Sequence, residues 1–232
     1  MMHQPSPMLV YNLRTGRIVE RDESAAIEWV RSELRDGQCV IAPTDTVIGL
    51  LADARNPLAV ANIARIKGRT SATPAPVLID SVAMAVRLAT PSMMGPLSRI
   101  ADLWPGPLSV IVDIDDPLGE AVNPTVGTAA LRVPAVPWLR ALCRDMPLAA
   151  SSANRHGVAT ETSVKGAIAA LTAGSYDAPL TLAIDPLGDG AAGTIASTVV
   201  DLTCQPPTIV RQGALAYEVV AERLPGLTTP MS

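Results

Sequence analysis

"QCVIAPTDTVIGL", Gln38 to Leu50, is the stretch on which the reading of the fold turns. Its first half, "QCVIAP", is a short apolar run of strand length, and Pro43 ends it because proline has no N–H to give to a sheet ladder. Thr44, Asp45 and Thr46 follow at once, so two hydroxyls and a carboxylate stand where an apolar strand leaves its core. Such a cluster is either a turn whose hydroxyls satisfy backbone N–H groups or the rim of a pocket. Gly49 is a point where the chain can pass close to a neighbour. The plan recurs in "MPLAASSAN" (Met146–Asn154), where a second short apolar strand delivers Ser151, Ser152 and Asn154 at its end. In open α/β sheets, ligands meet residues beyond the strand ends.

Working outward, "SAAIEWVRSELRDG" predicts a helix with Ser24 as its cap, Ile27, Val30 and Leu34 on one face, and Gly37 as its stop. "NPLAVANIARIKG" predicts another, capped by Asn56, with Pro57 in the first turn, where its missing N–H costs nothing. "APVLI", "LSVIVDI", "GTAALRVP", "LTLAIDP", "STVVDLT" and "PTIVR" read as strands. "SVAMAVRLA", part of "SMMGPLSRIADL", "VPWLRALC" and "SVKGAIAALT" read as helices. The alternation is imperfect, which points to one α/β domain around a twisted, mixed or mostly antiparallel sheet flanked by helices. That domain is expected over residues 21–220, after an extension (1–20) whose "MLVYNL" adds a strand. A loose tail (221–232) is expected to follow.

Composition narrows the classes. Hydrophobic residues make up 48% of the chain and charged ones 17%, with no Phe, so the core is built from Ala, Val, Ile and Leu. A net charge of −4 argues against a generally basic nucleic-acid surface but leaves room for a local basic pocket. Cys39, Cys143 and Cys204 are odd in number and form no CxxC, so they read as small buried hydrophobes. No run reaches the roughly 18–20 apolar residues of a membrane span, and the start lacks a signal-peptide pattern, so a cytoplasmic location is expected. With only His3 and His156, no histidine-rich metal site is expected, and no side-chain metal ligands are assigned.

Several clusters bear on chemistry. In "IKGRTSATP", Lys67 and Arg69 bracket a glycine at a helix end, as suits a polyphosphate or simply a solvated surface pair. Arg132 in "ALRVP" and Arg211 in "IVRQG" put cations into strand patterns, and each must reach solvent, a partner or an anionic ligand. Ser197 and Thr198 open a strand after the glycine-rich "GDGAAG", which lacks the GK[ST] of a Walker motif. His156 reads as a surface or turn histidine. Neither GxSxG nor HExxH occurs. The residues by themselves reach a soluble α/β domain with an anion pocket.

Taken together, "APTDTVIGLLADA", "IARIKGRTSATPAPVLI", "LWPGPLSVIV", "AALRVP", "PLAASSANRHG", "STVVDL" and "IVRQGAL" resemble, in order, the YrdC/Sua5/TsaC family of threonylcarbamoyl-AMP synthases. The resemblance implies the short, single-domain form, with a concave, positively charged groove. It implies a nucleotidyltransferase that makes threonylcarbamoyl-AMP and pyrophosphate from ATP, L-threonine and bicarbonate, with Mg²⁺ accompanying ATP. A separate transferase system would then modify adenosine 37 of tRNA. By position, Lys67 and Arg69 are expected at the phosphates as the catalytic cations. Ser152, Asn154, Ser197 and Arg211 are expected at the nucleotide, and Thr44, Arg132 and Ser152 at threonine. Ile48, Thr70, Leu78 and His156 depart from the family's usual Tyr, Pro, His and Ser. Two other readings stay open: a carbamoyl-adenylate or other nucleotide-using paralogue with a changed acceptor, and a noncatalytic nucleotide- or RNA-binding protein with direct RNA contact. A monomer and a homodimer are equally compatible with the sequence.

Overall fold

The computed structural model describes residues 7–69, 75–173, 179–186 and 193–229. Two strands of the N-terminal segment, β1 (Met8–Asn12) and β2 (Arg17–Arg21), form a hairpin at one end of the sheet. The quoted stretch gives β3 (Cys39–Ala42) and β4 (Gly49–Asp53), joined by the Pro43–Ile48 turn. Then come β5 (Val77–Leu78), β6 (Leu108–Asp113), β7 (Thr128–Arg132), β8 (Leu148–Ser152), β9 (Leu180–Pro186), β10 (Thr198–Asp201) and β11 (Thr208–Arg211). These strands form a single mixed sheet in the order β11-β10-β6-β7-β5-β8-β4-β3-β9-β1-β2. The β10–β6, β3–β9 and β5–β7 pairs are parallel, and the other pairings are antiparallel.

Helices cover both faces. On one lie α1 (Glu23–Arg35) and, later in the chain, a helix at Pro137–Leu142. Their Val30, Leu34, Trp138 and Leu142 pack on Val40, Ala42, Leu51, Leu148, Leu182 and Ile184. On the other face, α2 (Pro57–Ile66), α3 (Val82–Leu88), α4 (Met94–Ile100), α5 (Leu118–Val122) and a helix at Val164–Thr172 cover Ile41, Leu50, Ala52, Val77 and Val110. Numbered in chain order, these two further helices are α6 (Pro137–Leu142) and α7 (Val164–Thr172), and α8 spans Tyr217–Ala221. Successive residues of β3 and β4 therefore enter opposite cores. A strand covered on both faces has to be apolar throughout, which is why "CVIA" shows no alternation.

The first helix begins earlier than its sequence pattern suggests. Asp22 is the N-cap, and its carboxylate accepts from the Ala25 N–H at 2.9 Å, so Ser24 lies inside the helix. A carboxylate there also meets the positive end of the helix dipole. Asn56 does cap α2, accepting from Leu58 and Ala59. The last residues are not loose as far as Thr229. Leu224 and Leu227 are buried in the core, and Ile209 of β11 donates to the Thr228 carbonyl at 2.8 Å. Thr70, Pro74 and most of the "GDGAAG" segment lie outside the described residues. Within the described residues, no helix is long and apolar enough to cross a membrane.

Candidate functional site

Register brings the two similar strand ends together. Ala42 of β3 pairs with Gly49 of β4, and Gly49 pairs with Ser152 of β8, so the "PTDT" turn and the "SSAN" segment leave the sheet side by side. Between them and the ends of β5, β6, β7, β10 and β11 opens a cavity of about 340 Å³. That size is usual for a small-molecule site. Arg69, Arg132 and Arg211 all line it, with Thr46, Ser109, Ser151, Ser152, Thr160, Thr194 and Ser197. Pro76, Leu78 and Ala150 give it an apolar wall, and among the described residues no carboxylate lines it.

Each arginine is braced differently. Arg132, almost fully buried at the end of β7, donates to Asp45 Oδ1 at 3.0 Å and to Thr46 Oγ1 at 2.6 Å. Its Nε and the second oxygen of Asp45 are buried without partners among the described residues. Burial presses the Arg132 pKa below its usual value, Asp45 opposes this, and the nearby Arg211 adds to it. Arg211 holds the Ser197 carbonyl through Nε and a terminal nitrogen, at 3.2 and 2.8 Å. Ser197 Oγ in turn meets Ser109 Oγ at 2.9 Å. Arg69, just beyond α2, donates from Nε to His156 Nδ1 at 3.2 Å.

Two of the residues expected at the ligand stand behind this wall. Lys67, the C-cap of α2, is 1% exposed, and none of it lines the cavity. Its ammonium donates to the Ser152 carbonyl, to the Asn154 carbonyl at 2.7 Å and to Asn154 Oδ1 at 3.0 Å. Burial, reinforced by Arg69, lowers its pKa to about 8. Asn154 is part of the same knot, its amide nitrogen reaching the Arg155 and Val158 carbonyls. The ammonium thus ties the end of α2 to the segment after β8, and Ser152 and Arg69 are what that tie presents to the cavity.

Thr44 lines the cavity, yet its hydroxyl is committed. It donates to the Val47 carbonyl at 2.7 Å and accepts from the Thr46 and Val47 N–H groups at 3.1 and 3.2 Å. A hydroxyl has one proton and two lone pairs, so nothing remains for a ligand. Thr46 also lines the cavity, its hydroxyl held by Arg132 and within 3.0 Å of Thr44 Oγ1. A methyl placed on Gly49 would sit 3.3 Å from Thr44 Cγ2, so the expected close approach is to the turn itself.

Sequence reasoning missed Ser109, Thr160 and Thr194, and missed Asp45 as the partner of Arg132. A serine inside the buried "LSVIVD" strand was the one visible signal for Ser109. Among the departures, Leu78 is part of the cavity wall, whereas Ile48 is buried in the core and does not line it. No group of three His, Cys, Asp or Glu side chains able to hold a metal occurs among the described residues.

Residues 32–213 match the Sua5/YciO/YrdC family profile, described as "Telomere recombination". The chain belongs to that family. A Sua5/YciO/YrdC relative from Mycobacterium leprae, provisionally named a threonylcarbamoyl-AMP synthase, is 36% identical over 192 residues, covering 82% of this chain and 84% of its own. The Bacillus subtilis threonylcarbamoyl-AMP synthase is 32% identical over 192 residues, and the match spans 81% of this chain but 53% of that protein. Sua5 of Pyrococcus abyssi, solved in complex with L-threonine, superposes with a TM-score of 0.76 at 30% identity over 90% of this chain and 60% of its own. Escherichia coli YciO shares the fold, with a TM-score of 0.70 at 18% identity, over 88% of this chain and 95% of its own.

Proposed function

We propose that this family member is an L-threonylcarbamoyladenylate synthase. It would form threonylcarbamoyl-AMP and pyrophosphate from L-threonine, bicarbonate and ATP, and a separate system would transfer the threonylcarbamoyl group to tRNA. The observation that carries the reading is the convergence of Arg69, Arg132 and Arg211 on one cavity that no carboxylate lines among the described residues, in a chain of net charge −4. Such a cavity suits ligands rich in negative charge, as a carboxylate beside a triphosphate would be. The names of the Bacillus subtilis and Pyrococcus abyssi relatives support the same choice.

Roles follow from the bracing. Arg132, fixed by Asp45 and Thr46, is assigned the amino-acid carboxylate, with its buried, unpartnered Nε in reserve. Arg69 and Arg211 are assigned the phosphates, with Ser152, Ser197 and Ser109 as hydrogen-bonding neighbours. Threonine and bicarbonate condense to N-carboxythreonine with loss of water. Its carboxylate attacks the α-phosphorus of ATP, and the bond to the bridging oxygen of the leaving pyrophosphate breaks. No protein nucleophile is needed, so the protein contributes alignment and neutralisation of charge growing on the phosphates. Among the described residues the cavity offers hydroxyls and guanidinium groups, and none of these is an anionic metal ligand. Mg²⁺ is assigned only as the companion of ATP.

One observation favours a second reading, a changed acceptor amino acid. The wall that Leu78 shares with Pro76 and Ala150 is apolar, where a histidine is usual in the family. Pyrophosphate release should therefore be measured with ATP, bicarbonate and threonine, serine, valine or no amino acid, with mass detection of the adenylate. Release that depends on threonine, with the threonylcarbamoyl adduct formed, is expected. Preference for valine would move the assignment to the second reading, and no release from folded protein with any amino acid would overturn both.

A further inference from the structure

We propose that His156 is a positioning residue for Arg69: its Nδ1 accepts from the guanidinium Nε at 3.2 Å and so leaves the two terminal nitrogens for the anion in the cavity. The inference rests on the reading of that cavity as a phosphate site. His156 does not itself line the cavity, and its ring is exposed beside the mouth. Its backbone is anchored, because its N–H donates to the Lys67 carbonyl at 2.9 Å, two residues before Arg69. Asn154 closes the turn from the other side through the Val158 carbonyl. The imidazole therefore stands on the same knot that carries Arg69, and its bond is the one the described residues give that side chain.

The three cavity arginines differ in what braces them. Arg132 leans on a carboxylate and Arg211 on a backbone carbonyl, whereas Arg69 leans on an imidazole. An imidazole nitrogen accepts a hydrogen bond only when it carries no proton. A doubly protonated ring would turn the acceptor into a donor and set two cations face to face. The neighbouring Arg155 is directed away, to the Ala170 and Ala173 carbonyls.

The test is pyrophosphate binding by calorimetry at pH 8.0 to the wild type, His156→Asn and His156→Phe. Asparagine offers an oxygen near the place of Nδ1; phenylalanine keeps the ring and removes the acceptor. The Asn variant should bind like the wild type and the Phe variant roughly three- to tenfold more weakly, the range of one net hydrogen bond. A Phe variant equal to the wild type, or an Asn variant as weak as the Phe variant, would overturn the proposal and leave the phosphate site standing. A wild type that binds no pyrophosphate would overturn both.

Discussion

Replacing Lys67 by methionine tests the central structural reading, that this lysine is a buried tie and not a hand on the phosphates. The substitution keeps the length of the side chain and removes its charge. It leaves the Asn154 carbonyl and Asn154 Oδ1 without their donor, while the Ser152 carbonyl keeps only the Asn154 N–H. Each buried acceptor left unpaired costs about 1–3 kcal/mol, so the gross loss is several kcal/mol. Against this, the variant no longer desolvates an ammonium, which recovers a few kcal/mol. A net loss of about 3 kcal/mol is expected, a large share of the roughly 5–15 kcal/mol by which domains are stable. With a urea dependence of about 1–3 kcal/mol per M, the midpoint of unfolding should fall by roughly 1 M or more. Urea titration followed by circular dichroism, beside pyrophosphate binding under folding conditions, measures both quantities. Unchanged stability together with a loss of pyrophosphate affinity beyond tenfold would refute the reasoning, because it would place the ammonium at the ligand.

Three further outcomes follow from the same structure. Burial lowers the Lys67 pKa to about 8 from its ordinary 10.5, so between those pH values the unfolded chain holds a proton that the folded chain has released. Stability of the wild type relative to Lys67→Met should therefore rise with pH across about 8 to 10.5, and a difference that is flat or falls there, read from urea midpoints, would contradict the burial. Arg132→Lys loses the planar fork that meets Asp45 and Thr46, so the threonine KM should rise about tenfold or more with the ATP KM changed much less. Comparable small effects on both would end the carboxylate assignment. A methyl at Gly213 would collide with the backbone of Ala196 and Ser197, so Gly213→Ala should lower stability by roughly 1–3 kcal/mol and weaken ATP binding through Ser197; a Tm and affinity equal to wild type would show that the loop yields.

The polar endings of β3 and β8 are legible in the sequence as turns or pocket rims, and the residues alone do not choose between the two; the register that sets them side by side does. Arg132 and Arg211 stand out because a cation inside a strand pattern needs solvent, a partner or an anionic ligand. The division of labour within each cluster is not legible there. Thr44 and Thr46 are the same residue type two positions apart, yet one hydroxyl is consumed by its own turn and the other is bound by Arg132. Lys67 and Arg69 look like a pair, but the first residue ends inside the protein and the second at the cavity. Helix direction at the α2 terminus decides that, and local composition does not record it.

The sequence by itself determined most of the elements, though not β2, β4, α5 or α8, and marked the residue types that needed a polar or charged partner, since apolar period and misplaced charges are local properties. Only the tertiary structure decided which of them meet. The β3–β4–β8 register sets Gly49 between Ala42 and Ser152, and Asp45 finds Arg132 across 87 positions of chain. Pairings of that kind depend on strand order, which no stretch of sequence carries alone. The cavity is a property of that order, because its three arginines come from three distant segments and are held apart by three different braces.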